Sequence, residues 1–119
     1  MPGDHLTVSI DAKEQATVLV LEGEVDASSA GEVDSALGKA AQRELPVILD
    51  VSNLGYIDSS GFRAIYQASE HIAISIVVSP GSVLSRTIRL AGISTKIPIF
   101  PDIGTASRHA ANIQPGTRS

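Results

Sequence analysis

Residues 47–62 have the sequence VILDVSNLGYIDSSGF, and this stretch decides the fold of the chain. Its first five residues are nearly all apolar, which is typical of an interior strand of a parallel sheet. A short connection then leads to an Asp-Ser-Ser-Gly sequence ahead of Phe62. Aspartate and serine are the residues that most often begin a helix. The stretch therefore predicts a buried strand, a corner and a helix in direct succession.

Two strands and a helix are predicted before this stretch. Val8 and Ile10 alternate with polar residues, as in a half-buried strand, whereas residues 17–21 form a continuous apolar run. Polar residues 12–16 connect the two strands as a hairpin, and the apolar run is predicted to break at Gly23. A helix is predicted over residues 27–42, because apolar residues recur there at helical spacing: Ala30, Val33, Leu37 and Ala40.

The remaining elements follow the corner at short intervals. The patterns first predict a helix with Phe62, Ile65 and Ser69 on one face, followed by a strand over residues 72–78. The next helix is predicted to begin at the N-cap Ser82, to carry Leu84, Ile88 and Ala91 on one face and to end at Gly92. An edge strand over residues 97–100, which contains Pro98, and a helix over residues 105–113 complete the predicted elements. The fold class is thus α/β, in the order β-β-α-β-α-β-α-β-α. We expect a mixed sheet of four to five strands covered by about four α-helices.

Composition limits the classes to which the protein can belong. A chain of 119 residues with 43% hydrophobic content is long enough for one core. We therefore predict a single domain over residues 1–113 and a mobile C-terminal tail over residues 114–119. The net charge of −4 and the lack of a basic run argue against direct nucleic acid binding. With no cysteine, no signal-like N-terminus and no long apolar run, we expect a cytoplasmic protein that does not bind membranes.

The Asp-Ser-Ser-Gly corner has a structural and a functional interpretation. In the structural one, Asp58 or Ser59 accepts a backbone N–H as a helix cap, which contributes about 1 kcal/mol, and Gly61 permits close packing. In the functional one, the two hydroxyls lie among unpaired N–H groups at the positive end of the helix dipole. That environment suits a phosphate group, so a serine there is a candidate switch.

Four segments together resemble a known family. They are LEGEVD at residues 21–26, VILDV and IDSSG at residues 47–51 and 57–61, VVSP at residues 77–80, and LAGI at residues 90–93. In this order they resemble the single-domain anti-sigma factor antagonists, or anti-anti-sigma factors, of the STAS fold. The resemblance covers most of the chain.

The resemblance implies a phosphorylation site at the corner. By position, Ser59 matches the serine that the partner, an anti-sigma factor and protein kinase, phosphorylates in that family. Ser60 matches the neighbouring hydroxyl, Asp58 the motif aspartate, and Asp26 an acidic residue that the fold brings near the acceptor. Together with Gly61, these residues are predicted to support the phosphosite. Asp26 has a second interpretation, as the N-cap of the helix over residues 27–42.

The residues after the corner are candidates for partner contact. Helical spacing predicts that Phe62 packs in the core, whereas Arg63 and Tyr66 project outward and bind a partner. The family usually carries a small apolar pair where Phe62 and Arg63 stand, so this chain departs from its pattern here.

The sequence therefore predicts a phosphorylation-controlled binding protein and not an enzyme. Unphosphorylated, it would bind an anti-sigma factor of the serine kinase type and release a sigma factor, and phosphorylation of Ser59 would end binding. No cofactor or metal is expected, because the three histidines are scattered and no phosphate-binding loop or hydrolase serine motif is present. We expect a monomer or a weak dimer.

Two alternatives remain open from the sequence. The chain is alternatively a STAS scaffold module of a larger signalling or transporter-associated complex, in which oligomeric contacts matter more than a phosphate. The second alternative is a receiver-like domain, in which Asp50 would be the phosphoacceptor and Lys96 would match the lysine that receivers carry late in the sequence. The two strand patterns before the first helix argue against a receiver, because receivers begin with a strand followed directly by a helix.

Overall fold

The computed structural model describes residues 5–113, so the predicted tail at residues 114–119 lies outside the described part. The five strands are β1 Thr7–Ala12, β2 Thr17–Val25, β3 Val47–Ile57, β4 Ile74–Val77 and β5 Ile99–Phe100. Within residues 5–113 the four α-helices are α1 Ala30–Ala41, α2 Ser59–Ala68, α3 Val83–Leu90 and α4 Ile103–Ala111, and a 3-10 turn spans Ile93–Thr95. The predicted order of strands and helices is confirmed.

The strands form one mixed sheet in the order β1-β2-β3-β4-β5. Strand β1 pairs with β2 in the antiparallel direction, as the hairpin pattern predicts, and every later neighbour is parallel. Strand β3 therefore lies at the centre of the sheet. This position explains the almost continuous apolar sequence of residues 47–51, the first half of β3, because both faces of a central parallel strand are covered there.

The two faces of the sheet bury different side chains. On one face, alternate residues of the central strands, such as Leu19, Leu49 and Ile76, join α1, α2 and α3 in the main core. On the other face, Val18, Ile48 and Val77 pack under α4 in a smaller cluster. With few aromatic residues available, both clusters are built almost entirely from aliphatic side chains. The helices on the main face carry the candidate site.

Strand β2 is longer than predicted, because Gly23 does not end it. The strand continues to Val25 with register shifts on either side of Gly23, which has a φ of +104°. A Cβ atom at this position would collide with the carbonyl of His5. The missing side chain of Gly23 thus lets β2 continue where the backbone of His5 lies close to it, and the predicted break was wrong. Strand β3 likewise extends past Val51 to Ile57.

The later elements confirm the predicted signals with shifted ends. The Ser82 hydroxyl accepts the N–H of Ser85 at 3.1 Å, and Gly92 follows α3 in the left-handed conformation, as expected of a cap and a C′ residue. The prediction that Ala91 lies on the buried stripe of this helix was wrong, because Ala91 is exposed. Strands β4 and β5 are shorter than predicted, and α4 begins at Ile103.

The receiver-like alternative does not agree with this topology. Asp50 lies within β3, opposite Val20 and Val77, and its carboxylate accepts the N–H of Ser52 at 3.0 Å. Lys96 instead forms an ion pair with Glu70 at 3.7 Å. An antiparallel first hairpin also differs from the parallel strands of a doubly wound domain.

Candidate functional site

The candidate site begins where β2 and β3 end together at one edge of the sheet. Val25 and Ile57 are paired as the last residues of these parallel strands, and each is followed by an aspartate, Asp26 or Asp58. The N–H of Asp58 donates to the carbonyl of Val25 at 3.1 Å, which ties the start of α2 to the end of β2. The two acidic corners predicted from the sequence are therefore neighbours.

Asp58 is the N-cap of α2, in agreement with the structural interpretation of the corner. Its carboxylate accepts the N–H of Ser60 at 2.9 Å and that of Gly61 at 3.3 Å. Its carbonyl accepts the N–H of Phe62 at 3.1 Å, which begins the helical ladder. These contacts satisfy N–H groups that the helix itself leaves unpaired. The first turn of α2 is thereby fixed in place.

Gly61 lets this first turn lie directly on the strand ends. A Cβ atom at Gly61 would lie 2.6 Å from the Cγ1 atom of Ile57 and 2.7 Å from that of Val25. These distances are shorter than side-chain contacts normally reach, so a larger residue would push α2 away from the sheet. The position of Ser59 relative to β2 and β3 therefore depends on this glycine.

The Ser59 side chain is exposed at the first position of α2, and that of Ser60 is half-buried. Among residues 5–113, no hydrogen bond engages either hydroxyl; only the backbone N–H of Ser60 is bonded. Ser59 therefore offers an accessible oxygen that packing does not cover.

The corner after β2 is built differently. The Asp26 carboxylate accepts the N–H of Ser28 at 2.9 Å and its hydroxyl at 2.6 Å, and the Ser29 hydroxyl lies 3.3 Å away. The hydrogen bond from the Ser28 hydroxyl is the main cause that lowers the pKa of Asp26 below its ordinary value of 3.8. Among the described residues, no hydrogen bond joins Asp26 to Ser59 or Ser60.

The predicted N-cap role of Asp26 was wrong, as was the predicted start of α1 at residue 27. The helix begins at Ala30, and Ser29 is the N-cap residue. The carbonyl of Asp26 accepts the N–H groups of Ser29 and Ala30, so residues 26–29 form a separate turn ahead of the helix. The Asp26 carboxylate accepts the N–H two residues ahead and none three residues ahead, whereas the Asp58 carboxylate accepts both, and bonding of the first kind alone is typical of a turn.

Ser59 lies at one end of a groove between α2 and the end of α3. The groove has a volume of about 510 Å³, and its lining is Ser59, Phe62, Arg63, Tyr66, Gln67, Ala91, Gly92 and Ile93. The structure thus brings the predicted acceptor and both predicted partner-binding residues to one surface. Phe62 is half-buried and packs against the main core while its edge reaches the groove.

Charge is distributed unevenly around this groove. From Ser59 to Phe100 the only acidic residue is Glu70, and it pairs with Lys96. The Lys96 ammonium also lies over the Tyr66 ring, 4.9 Å from its centroid, where a cation is attracted by the ring electrons. Arg63 is exposed beside them. The groove therefore combines apolar side chains such as Phe62 and Ile93 with the exposed cation Arg63, and the acidic Asp58 directly precedes Ser59.

The second wall of the groove was missed from the sequence. Ala91, Gly92 and Ile93 were interpreted only as a helix end, although they face α2 across the groove. A signal was present in Leu90, an apolar residue outside the predicted buried stripe, which is 81% exposed. A single exposed apolar residue is common on protein surfaces, so this signal alone does not identify the wall.

Within residues 5–113, no group of three His, Asp or Glu side chains is arranged to hold a metal ion. In the same part of the chain, no helix has the length and apolar character needed to cross a membrane.

Comparisons with known proteins agree with this architecture. The family model of the STAS domain matches residues 7–106. The anti-sigma-F factor antagonist RsfB of Mycobacterium tuberculosis is 29% identical over 107 residues, which cover 87% of this chain and 88% of RsfB.

Solved structures show the same fold at lower sequence identity. An anti-sigma factor antagonist from Mycobacterium paratuberculosis superposes with a TM-score of 0.82 at 20% identity, covering 92% of this chain and 97% of that one. The Bacillus cell fate determinant SpoIIAA in its phosphorylated form superposes with a TM-score of 0.61 at 14% identity, covering 87% and 99% of the two chains.

Proposed function

The chain belongs to the STAS domain family, and we propose that it is an anti-sigma factor antagonist whose binding is controlled by phosphorylation of Ser59. The proposed partner is an anti-sigma factor of the serine kinase type, which implies that the protein acts in the cytoplasm. The protein itself is a binding protein and not an enzyme. The observation that carries the proposal is the exposed, unbonded hydroxyl of Ser59 at the end of the α2–α3 groove.

The relatives support this proposal in two ways. RsfB is named as an antagonist of an anti-sigma factor and matches most of this chain. SpoIIAA, which shares the fold, has a phosphorylated form. These names describe those proteins, and their activities are extended to this chain as part of the proposal.

In the proposed unphosphorylated state, the groove is the binding surface. The partner would cover Ser59 while contacting Arg63 and Tyr66, two exposed residues of α2 that line the groove. Aromatic and arginine side chains often contribute most to such interfaces, because they bury large areas and make several contacts. Binding of this surface would occupy the anti-sigma factor and release the sigma factor.

Phosphorylation would take place within this complex. The Ser59 oxygen would attack the γ-phosphorus of ATP held by the kinase, the bond to the ADP oxygen would break, and a basic group of the kinase would accept the hydroxyl proton. The product carries about −1.5 to −2 charges at residue 59. The first turn of α2 tolerates this charge, because it lies at the positive end of the helix dipole.

The charge would then disfavour the complex. A partner surface fitted to a neutral serine would have to bury a dianion without a matching charge, which costs about 3 kcal/mol or more. This cost weakens binding by more than about a hundredfold, because each 1.4 kcal/mol corresponds to a factor of ten. The domain would stay folded while its affinity for the anti-sigma factor fell.

Calorimetric titration of candidate kinase-type anti-sigma factors tests the switch. We expect Ser59→Ala to bind as wild type does and Ser59→Glu to bind at least tenfold more weakly, since glutamate carries less charge than a phosphate. Ser35→Glu, on the exposed side of α1, is the matched control and should bind normally. Equal binding by Ser59→Ala and Ser59→Glu would refute the switch.

A further inference from the structure

Arg63 lies one helical turn after Ser59 on α2. Residues four apart on a helix are surface neighbours, and helical side chains lean toward the N-terminus, over the preceding turn. This spacing places residue 59 within reach of the Arg63 side chain. Both residues also line the same groove.

Arg63 has no counter-charge in the unmodified protein. The residues three and four positions away on either side are Ser59, Ser60, Tyr66 and Gln67, none of which is acidic. Within the part of the chain that the structure describes, no ion pair or hydrogen bond engages the Arg63 guanidinium. The fold thus holds an exposed, unpaired cation next to the candidate phosphoacceptor.

From this arrangement we infer that Arg63 is the internal counter-charge of Ser59 once that serine is phosphorylated. The inference rests on the proposed function, since it concerns the modified state of the same site. A phosphoserine would supply the acidic neighbour that Arg63 lacks, in the favourable order with the acid on the N-terminal side of the base. The planar guanidinium matches two phosphate oxygens at once, which gives a strong, charge-assisted pair.

The pair adds a second consequence to phosphorylation. Arg63 is one of the exposed groups available to a partner when Ser59 is unmodified, and it folds back onto the phosphate when Ser59 is modified. Phosphorylation therefore places a negative charge in the groove and withdraws a positive contact from it. The pair leaves a net negative charge at the corner, because one guanidinium does not neutralise a dianion, and it removes Arg63 as a contact for the anti-sigma factor.

The other charged groups near the corner do not replace Arg63. Asp58 and Asp26 are negative and disfavour a dianionic phosphate, while Lys96 is held in its ion pair with Glu70. Arg63 is the only basic residue of α2, the helix that Ser59 begins.

A phosphorus NMR titration tests the pair without any kinase. The chain is prepared with phosphoserine incorporated at residue 59 during translation, and the second pKa of the phosphate, ordinarily about 6, is measured. We expect this pKa in wild type to lie about half a unit below that of Arg63→Gln, because the cation favours the dianion. Arg63→Lys should retain part of the difference, and 1 M salt should reduce it.

Arg86→Gln is the matched control, since Arg86 is an exposed helical arginine on α3. It should leave the phosphate pKa at the wild-type value. Equal pKa values in wild type and Arg63→Gln would overturn the inference, whatever the binding experiments show. Conversely, an anti-sigma factor that binds Ser59→Ala and Ser59→Glu equally well would refute the proposed function without affecting the phosphate titration. The two failures are therefore distinguishable.

Discussion

The corners after β2 and β3 resemble each other in sequence, but they differ in whether their serine hydroxyls form hydrogen bonds within residues 5–113. Each follows a paired strand end with an aspartate and two nearby serines. After β2, the Ser28 and Ser29 hydroxyls are bonded to Asp26 and the backbone around it. After β3, Asp58 bonds backbone N–H groups instead. The second corner therefore leaves both of its hydroxyls without a hydrogen bond among residues 5–113.

A single glycine accounts for much of this difference. Gly61 allows the chain after β3 to turn into a helix directly against the strand ends, so the aspartate is followed at once by helical N–H groups that it can cap. The corresponding residue after β2 is Ser29, which is buried and uses its side chain to close a turn. The same sequence pattern thus leaves its hydroxyls unbonded only at the corner where the aspartate accepts backbone N–H groups and no serine hydroxyl.

The largest expected effect on stability comes from removing that glycine. Gly61→Ala should lower the free energy of unfolding by about 1–3 kcal/mol, because the added methyl group meets Val25 and Ile57 at less than 3 Å. Denaturant unfolding followed by circular dichroism measures the change.

Gly38→Ala, in the middle of α1, is the matched control. Nothing lies within 4 Å of a Cβ atom there, so alanine should raise stability by about 0.5–1 kcal/mol through its better helix propensity. Equal stabilisation by the two substitutions would show that the close packing of α2 on the strand ends does not constrain the corner.

A smaller effect is expected from removing the cap of α2. Asp58→Ala should lower the free energy of unfolding by about 1 kcal/mol, since two N–H groups lose their acceptor. Asp58→Asn should restore most of the stability, because asparagine caps helices about as well as aspartate. Asp34→Ala, which removes the same charge from the exposed side of α1, controls for net charge. If Asp58→Asn were as destabilised as Asp58→Ala, the charge and not the cap would be responsible.

The sequence predicted most of the elements and part of the site, for physical reasons that the two corners illustrate. Apolar periodicity and cap residues are local signals, so the order of elements and the cap by Asp58 were predictable. The start of α1 was not predictable, because an aspartate followed by serines can either cap a helix or close a turn, and the sequence around Asp26 fits both. The course of β2 through Gly23 and the wall formed by Ala91 depend on contacts between distant segments. Local sequence does not encode those contacts.

The smallest predicted effect concerns the pH dependence contributed by the first corner. Hydrogen bonds, chiefly from the Ser28 hydroxyl, lower the pKa of Asp26 in the folded protein. A lowered folded pKa means that the carboxylate stabilises the fold above its unfolded pKa, and that this contribution is lost as the pH falls through the folded pKa. In Asp26→Asn, the free energy of unfolding should therefore fall less steeply than in wild type as the pH drops below about 4. Near neutral pH, the dependence of this free energy on pH should be the same in both proteins.

Ser28→Ala sharpens this prediction, because it removes the main cause of the shift and keeps the carboxylate. An NMR titration should find the pKa of Asp26 below 3.8 in wild type and closer to that value in Ser28→Ala. Ser59→Ala serves as the comparison from the second corner and should leave the Asp26 titration unchanged, because no hydrogen bond joins the two side chains among residues 5–113. A shift of equal size in Ser59→Ala would mean that the corners share their hydroxyls after all, and that Ser59 is less free than its exposure indicates.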